Sequence, residues 1–323
     1  MAYDIRPYRP GDETALLKAF HLAFPGRTRS LQEWRWAFDQ NPAGRRLFLA
    51  FHGEDVVAQY AAIPIRMRFR GAEKTFAQIV DSMVVPEHRR GLKRPGLFVE
   101  TARAFFEEYG GPDADWVHYG WPVETAWRIG KRFLHYVTVR AQNGLVHELG
   151  DGDTALPAGV EVLPRFDEQV SWLYDRCCGS WGISAIRDEA FMNWRFVDHP
   201  LHHYTALGVR DANGVLRGTV IVRHGDWVAP NMAIIADWLV PENEPEVAEA
   251  LLRGALALGR SWGASASVIC VPEWSSWFLW FQARRFLVWD SDYFLVSRNF
   301  VKFLDDLWLR DHWWLGLAES DLV

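Results

Sequence analysis

Apolar and polar positions alternate from Tyr3 to Tyr8, which predicts a strand. Asp12 stands where an N-cap belongs, ahead of Leu16, Leu17, Phe20 and Phe24, which share one face of a helix running to about Phe24. Ser30-Leu-Gln-Glu33 is a capping box that opens a second helix through Phe38, and Asn41-Pro42 ends it. Leu47–His52 and Val56–Phe69 read as strands around a Gly-Glu-Asp turn, and Thr75–Val85 as a third. A basic loop, 86–96, leads into a helix over Leu97–Tyr109 that Gly110-Gly111 stops. Trp116–Gly120 is an apolar strand and Val123–Leu134 a helix, followed by short strands near 136–141 and 144–148. The order, strand, two helices, three strands, helix, strand, helix, strand, is an α+β mixture.

The same order returns. Helices are expected at about Asp167–Arg176 and Asp188–Val197, with strands near 203–210, 215–223 and 232–240. A long helix over Pro245–Trp262, a strand over Ser265–Val271 and a helix from about Ser275 complete the set. Individual residues also recur. Trp34-Arg35-Trp36 matches Trp194-Arg195-Phe196, 160 residues on. Asp81 and Pro86 match Asp237 and Pro241, and Pro122 matches Pro272, with the spacing falling to 150. Three matches in one order, with a steadily shrinking offset, predict two copies of one domain, the second slightly shorter. The Gly-, Pro- and Asp-rich stretch 150–166 reads as the linker. The expected division is therefore 1–150, 166–300 and a C-terminal tail, 301–323.

Composition narrows the function classes. Of 323 residues, 49% are apolar and 24% charged, so general disorder is excluded. Apolar runs are interrupted well before 18 residues, so no membrane span is expected. The first residues carry acidic groups and no apolar core, so no leader is expected either, and a cytoplasmic location is the simplest. Three cysteines, two of them adjacent, form no disulfide or zinc pattern, and no metal is expected. His199, His202 and His203 lack a carboxylate or cysteine at ligand spacing, and read as a solvated turn. A net charge of −6 argues against a broad nucleic-acid surface. The 18 tryptophans would suit a buried interface, a homodimer among them, but the oligomeric state is not given by the sequence.

The most informative stretch is 81–98. An apolar strand feeds a loop holding His88, Arg89, Arg90, Lys93 and Arg94, with Gly91 and Gly96, and the loop opens a helix. Free amides, the helix dipole and guanidinium groups together favour phosphate. Val84-x-Pro86-x-x-Arg89-Arg90-Gly91, followed by Gly96 at a helix start, resembles motif A of the GNAT acetyltransferase superfamily. There a bulged central strand and an Arg/Gln-x-x-Gly-x-Gly/Ala loop cradle the pyrophosphate of acetyl-CoA. IRPYRPGDETALLKAF is similar to that family's first strand and helix, and GWPVETAWRIGKRFLHY to its later strand-helix segment. The likeness covers 3–148 well and 185–297 more weakly.

The resemblance implies two tandem GNAT-like domains, each a mixed, mostly antiparallel central sheet flanked by helices. It places backbone contacts to pantetheine at Met83, Val84 and Val85. Pyrophosphate contacts fall at Arg90, Gly91, Leu92, Lys93, Arg94, Gly96 and Leu97. Asp81 falls where many members carry the base that deprotonates the amine; a hydrogen-bonded structural aspartate is the other reading, since Asp237 recurs without the loop. Tyr119 falls near the acetyl group, as a general acid or as core packing. The sequence departs from the family in three ways. Four residues separate the glycines, Pro95 removes a donor, and the family's thiolate-protonating Tyr has no clear match. In the second copy ENEPEVAE replaces the loop, and its carboxylates would repel a pyrophosphate. The function implied is an N-acetyltransferase that uses acetyl-CoA as co-substrate and a small-molecule or sugar amine as acceptor. A non-catalytic acyl-CoA-binding or regulatory module and a Fem-like aminoacyl transferase stay open beside it.

Overall fold

The computed structural model describes residues 3–89 and 95–322. In chain order the elements are β1 (Asp4–Pro7), α1 (Glu13–Ala23), α2 (Leu31–Phe38), β2 (Arg46–His52), β3 (Asp55–Phe69), β4 (Ala72–Val84), α3 (Leu97–Tyr109), β5 (Asp115–Gly120), α4 (Glu124–Phe133) and β6 (Val137–Ala141). Then come β7 (Gly144–Glu148), β8 (Val160–Leu163), α5 (Gln169–Cys177), β9 (Ile183–Ala185), α6 (Glu189–Met192), β10 (Tyr204–Arg210), β11 (Leu216–Gly225) and β12 (Met232–Leu239). The last are α7 (Pro245–Ser261), β13 (Ala266–Ile269), α8 (Ser276–Gln282), β14 (Leu287–Trp289), β15 (Phe294–Asn299), α9 (Asp306–His312) and β16 (Trp313–Trp314).

Two mixed sheets are built, and the chain divides into two compact units. One follows the order β1-β2-β3-β4-β5-β15-β6, the other β8-β10-β11-β12-β13-β7-β14. The paths correspond position by position. In each, one central pair is parallel, β4 with β5 and β12 with β13. The sixth place, however, is filled crosswise. β15, late in the chain, pairs with β5, from Val296↔Gly120 to Asn299↔Val117. β7, from the first half, pairs with β13, from Ala266↔Glu148 to Ile269↔Leu145. The units are accordingly 1–67, 72–140 and 293–310 for the first, and 68–71, 141–292 and 311–323 for the second. A division at 150–166 with a separate tail from 301 does not describe this chain, because strand pairing overrides sequence order.

Local chemistry explains the elements. Ser30 caps α2 as read: its Oγ accepts from the Glu33 amide at 3.1 Å, and Glu33 accepts from the Ser30 amide at 2.6 Å. Asp12 does not cap α1 with its side chain. It receives two Arg6 nitrogens at 2.8 and 2.9 Å and the Arg9 amide at 2.7 Å, and so ties β1 to the helix start. In the first unit Tyr60, Phe105, Phe106 and Leu134 pack between the sheet and α3. β15 is anchored there by Arg298, which donates to the Leu134 carbonyl at 2.6 Å and lies over the Phe106 ring. In the second unit β16 pairs in parallel with β9, and Trp314 stacks on Trp181 at 4.0 Å. No helix among the described residues is long and apolar enough to cross a membrane.

Candidate functional site

β4 and β5 pair in parallel from Thr75↔Asp115 to Gln78↔Tyr119, with a register shift between Thr75 and Phe76. β5 ends one residue later and its chain turns toward α4, while β4 continues to Val84. Among the described residues, no strand pairs with that edge of β4 beyond Gln78. Asp81 sits on this stretch with φ at +48°, a left-handed conformation that a non-glycine residue rarely adopts. Its carbonyl turns to accept from Gln59 Nε2 at 2.9 Å. The strand is thus bent where it loses its neighbour, as a bulge bends a strand. After Val84 the chain passes a short 3-10 turn at Pro86–His88. Arg89 binds that turn down, donating to the Val84 carbonyl at 2.8 Å and the Ala23 carbonyl at 3.0 Å. α3 then starts at Leu97 behind Gly96, which brings no side chain to cap it; the Val99 and Glu100 amides donate to the Gly96 carbonyl at 2.9 and 3.1 Å, which leaves the Leu97 and Phe98 amides without a helical partner.

Residues 4–129 match the family model of the acetyltransferase (GNAT) domain. Over these residues the chain is similar to a GNAT acetyltransferase domain. The whole chain is similar in fold to a conserved protein of unknown function from Enterococcus faecalis V583, described as a probable N-acyltransferase. That likeness has a TM-score of 0.64 at 14% identity and covers 93% of this chain and 73% of that one. A GCN5-related N-acetyltransferase from Anabaena variabilis matches with a TM-score of 0.64, 13% identity and the same coverage. Saccharomyces cerevisiae N-myristoyltransferase, solved with myristoyl-CoA bound, matches at 0.58 and 14%, over 91% of this chain and 82% of that one. No functionally curated protein matches the sequence.

Within the matched residues, the expected pantetheine residues Met83 and Val84 end β4 and Val85 follows, all with buried side chains; the Val84 carbonyl is taken by Arg89, and the Val85 amide donates to the Val57 carbonyl at 2.9 Å. Leu97 packs against Ala50, Val57, Ala58 and Val84, fixing the helix start to the strand. Leu97, expected as a pyrophosphate contact with Gly96 before it, therefore lies beside the end of β4. Arg90, Gly91, Leu92, Lys93 and Arg94 lie outside the described residues.

The two expected catalytic residues lie in different environments. Asp81 is nearly buried, and Arg29 forms an ion pair with its Oδ2 at 2.5 Å. Tyr119 is buried and aligned with Gln78 on β4 and Ser297 on β15, so the three share one sheet face. His118 takes the opposite face, against Phe105 and Phe106, with Nε2 3.2 Å from Asp115. Burial pulls the His118 imidazole below its ordinary value, with Asp115 opposing. Sequence reasoning missed Arg29, Gln59 and Ser297. Arg29 left a signal: it precedes the N-cap Ser30 as Arg187 precedes the N-cap Asp188.

That signal marks a shared device. In the second unit Arg187 binds Asp237 at 2.9 and 3.1 Å, beside a register shift in β12 that leaves Ala236 unpaired with β11. A strand aspartate paired with an arginine that precedes a helix cap thus occurs twice. The surroundings differ. Where the first unit carries the basic segment, the second carries Glu244 ahead of α7, held by Arg217 and, at 2.6 Å, by Arg176. A carboxylate already occupies that helix start, which disfavours a second anion there. Trp238, near the end of β12, packs on Trp277, Trp280 and Phe281 of α8.

Proposed function

We propose that the GNAT domain transfers an acetyl group from acetyl-CoA to an amine of a small molecule or sugar. One observation carries this: the bent, unpartnered end of β4 runs directly into the segment that opens α3. An unpaired strand edge can receive the amide groups of a pantetheine arm, and uncapped helix amides with a basic loop can receive a pyrophosphate. Met83–Val85 would hold the first, and Arg90–Leu97 the second. The thioester supplies an activated acyl carbon. The acceptor nitrogen forms its bond to that carbon as the carbon–sulfur bond breaks, the amine proton passes to a base, and the thiolate takes a proton.

Asp81 is the candidate acceptor of the amine proton, directly or through a water, and Tyr119 the candidate donor to sulfur. A second reading of Asp81 rests on the recurrence of its arginine pair as Arg187–Asp237, in a unit with no basic loop. On that reading Asp81 is a positioning residue that holds the bend, and the rate comes from placing the two substrates. If the chain binds acyl-CoA without turning it over, it is a regulatory module.

Calorimetric titration of acetyl-CoA into the purified protein, beside an Arg90→Glu variant, tests the proposal. Micromolar binding that the variant loses supports it, and absence of binding to the parent refutes it. Amine-dependent release of free CoA then separates an enzyme from a binding module.

A further inference from the structure

The second unit holds a cavity of about 230 Å³ that the acetyl-transfer reading does not use. One side is apolar, from Leu163, Pro164, Phe196 and Val197, and the other carries His202, His203 and Tyr204. The histidine segment, expected as a solvated turn, thus also lines this cavity. His199 Nδ1 accepts the amides of Leu201 and His202 at 3.2 and 3.1 Å, and the two rings stack at 4.8 Å.

Behind this wall lies Arg223, the register partner of Tyr204 and only 8% exposed. Its Nη1 donates to His202 Nδ1 at 3.3 Å. A guanidinium has no acceptor, so this contact places the His202 proton on Nε2, as a donor. No described carboxylate lies within ion-pair distance of Arg223, and its buried Nε has no hydrogen-bond partner. Asp226 is the carboxylate that acts on it from further away, and its Oδ1 already accepts the Asn231 amide at 2.8 Å. Arg195 adds a second positive charge nearby, and Asp198 is taken by Arg165. A buried, uncompensated arginine is costly unless something negative completes it.

We infer that this cavity is a binding site for a compact organic anion, a carboxylate or phosphate monoester on a small apolar body. Its acidic head sits on the His202–Tyr204 side, in the field of Arg223, and its body lies against Phe196 and Leu163. The volume falls below the usual range for drug-sized ligands, which selects a small metabolite. An imidazole donor backed by a guanidinium suits an oxyanion of either kind.

The test titrates benzoate, phenyl phosphate and neutral benzyl alcohol into the full chain at low salt, with and without saturating acetyl-CoA. At least one anion is expected to bind at least tenfold more tightly than the alcohol, equally in both conditions. The stronger anion identifies the head group. Arg223→Met and His202→Gln are each expected to lose at least tenfold in that affinity, and His202→Gln keeps the test open should Arg223→Met not fold. The inference is overturned if neither anion binds, if the alcohol binds as well, if acetyl-CoA displaces the anion, or if the folded variants bind it undiminished.

Discussion

Arg187→Met is the most informative perturbation of the fold. The Arg187 side chain is fully buried, Asp237 is 3% exposed and Glu319 fully buried. Arg187 meets both carboxylates at 2.9 Å and donates to the Ala185 carbonyl at 3.1 Å. Removing it strands two buried carboxylates, and breaking such a pair costs about 3–5 kcal/mol. The corresponding Arg29→Met touches a wetter pair, with Arg29 19% exposed, so about 2 kcal/mol is expected after solvent screening. At an m-value of about 3 kcal/mol/M, these costs correspond to urea midpoint shifts of roughly 1–1.7 M and 0.7 M. Urea unfolding followed by tryptophan fluorescence and by circular dichroism measures both. The triple variant Arg187→Met, Asp237→Asn, Glu319→Gln removes all the charge together and should regain most of the loss. A loss under about 1 kcal/mol for Arg187→Met, or a larger loss for Arg29→Met, would refute the reasoning.

Three further outcomes are expected. Asp81→Asn should lower kcat with a changed pH profile if the carboxylate takes the proton; a shift in stability alone, with kcat retained, makes it a positioning residue. Burial pushes the Glu319 carboxyl above its ordinary value, against the pull of Arg187. Its contribution to stability is present in full below about pH 4.3, the unperturbed value, and is lost as pH rises through the folded-state value. Glu319→Gln should therefore remove a fall in the urea midpoint as pH rises from 4 to 8, and a slope that is unchanged or shifted the other way counts against this. Burial also raises the Cys177 and Cys178 thiols, so both should react with a disulfide reagent at pH 8 far more slowly in the native protein than in urea.

Much of the architecture was legible in the chain, and for identifiable reasons. The Trp34, Asp81 and Pro122 matches to Trp194, Asp237 and Pro272 announced the repeat, and the Ser30 capping box is an interaction confined to four residues. The crosswise placing of β7 and β15 was not legible, because a strand's own pattern says which face is apolar and not which neighbour it pairs with. The Arg29–Asp81 contact spans 52 positions and shows in the sequence only through its echo at 187 and 237. The cavity beside Arg223 was hidden for a similar reason: His202 and Arg223 meet only because Tyr204 and Arg223 fall in register across β10 and β11.

The crosswise strands set a schedule for the ribosome. β5 is made early, yet its neighbour β15 begins 153 residues after β6 has ended. At about 5–20 residues per second, the first sheet waits roughly 8–30 s with one place empty. During that interval β5 offers an unpaired edge, the kind of surface on which nascent chains associate. β7 meets the opposite situation, since it is made before any strand of its own sheet and must wait for β13. Neither half completes its sheet alone, so a gene that lost the second half of the chain would also lose the strand that fills the sixth place in the first sheet.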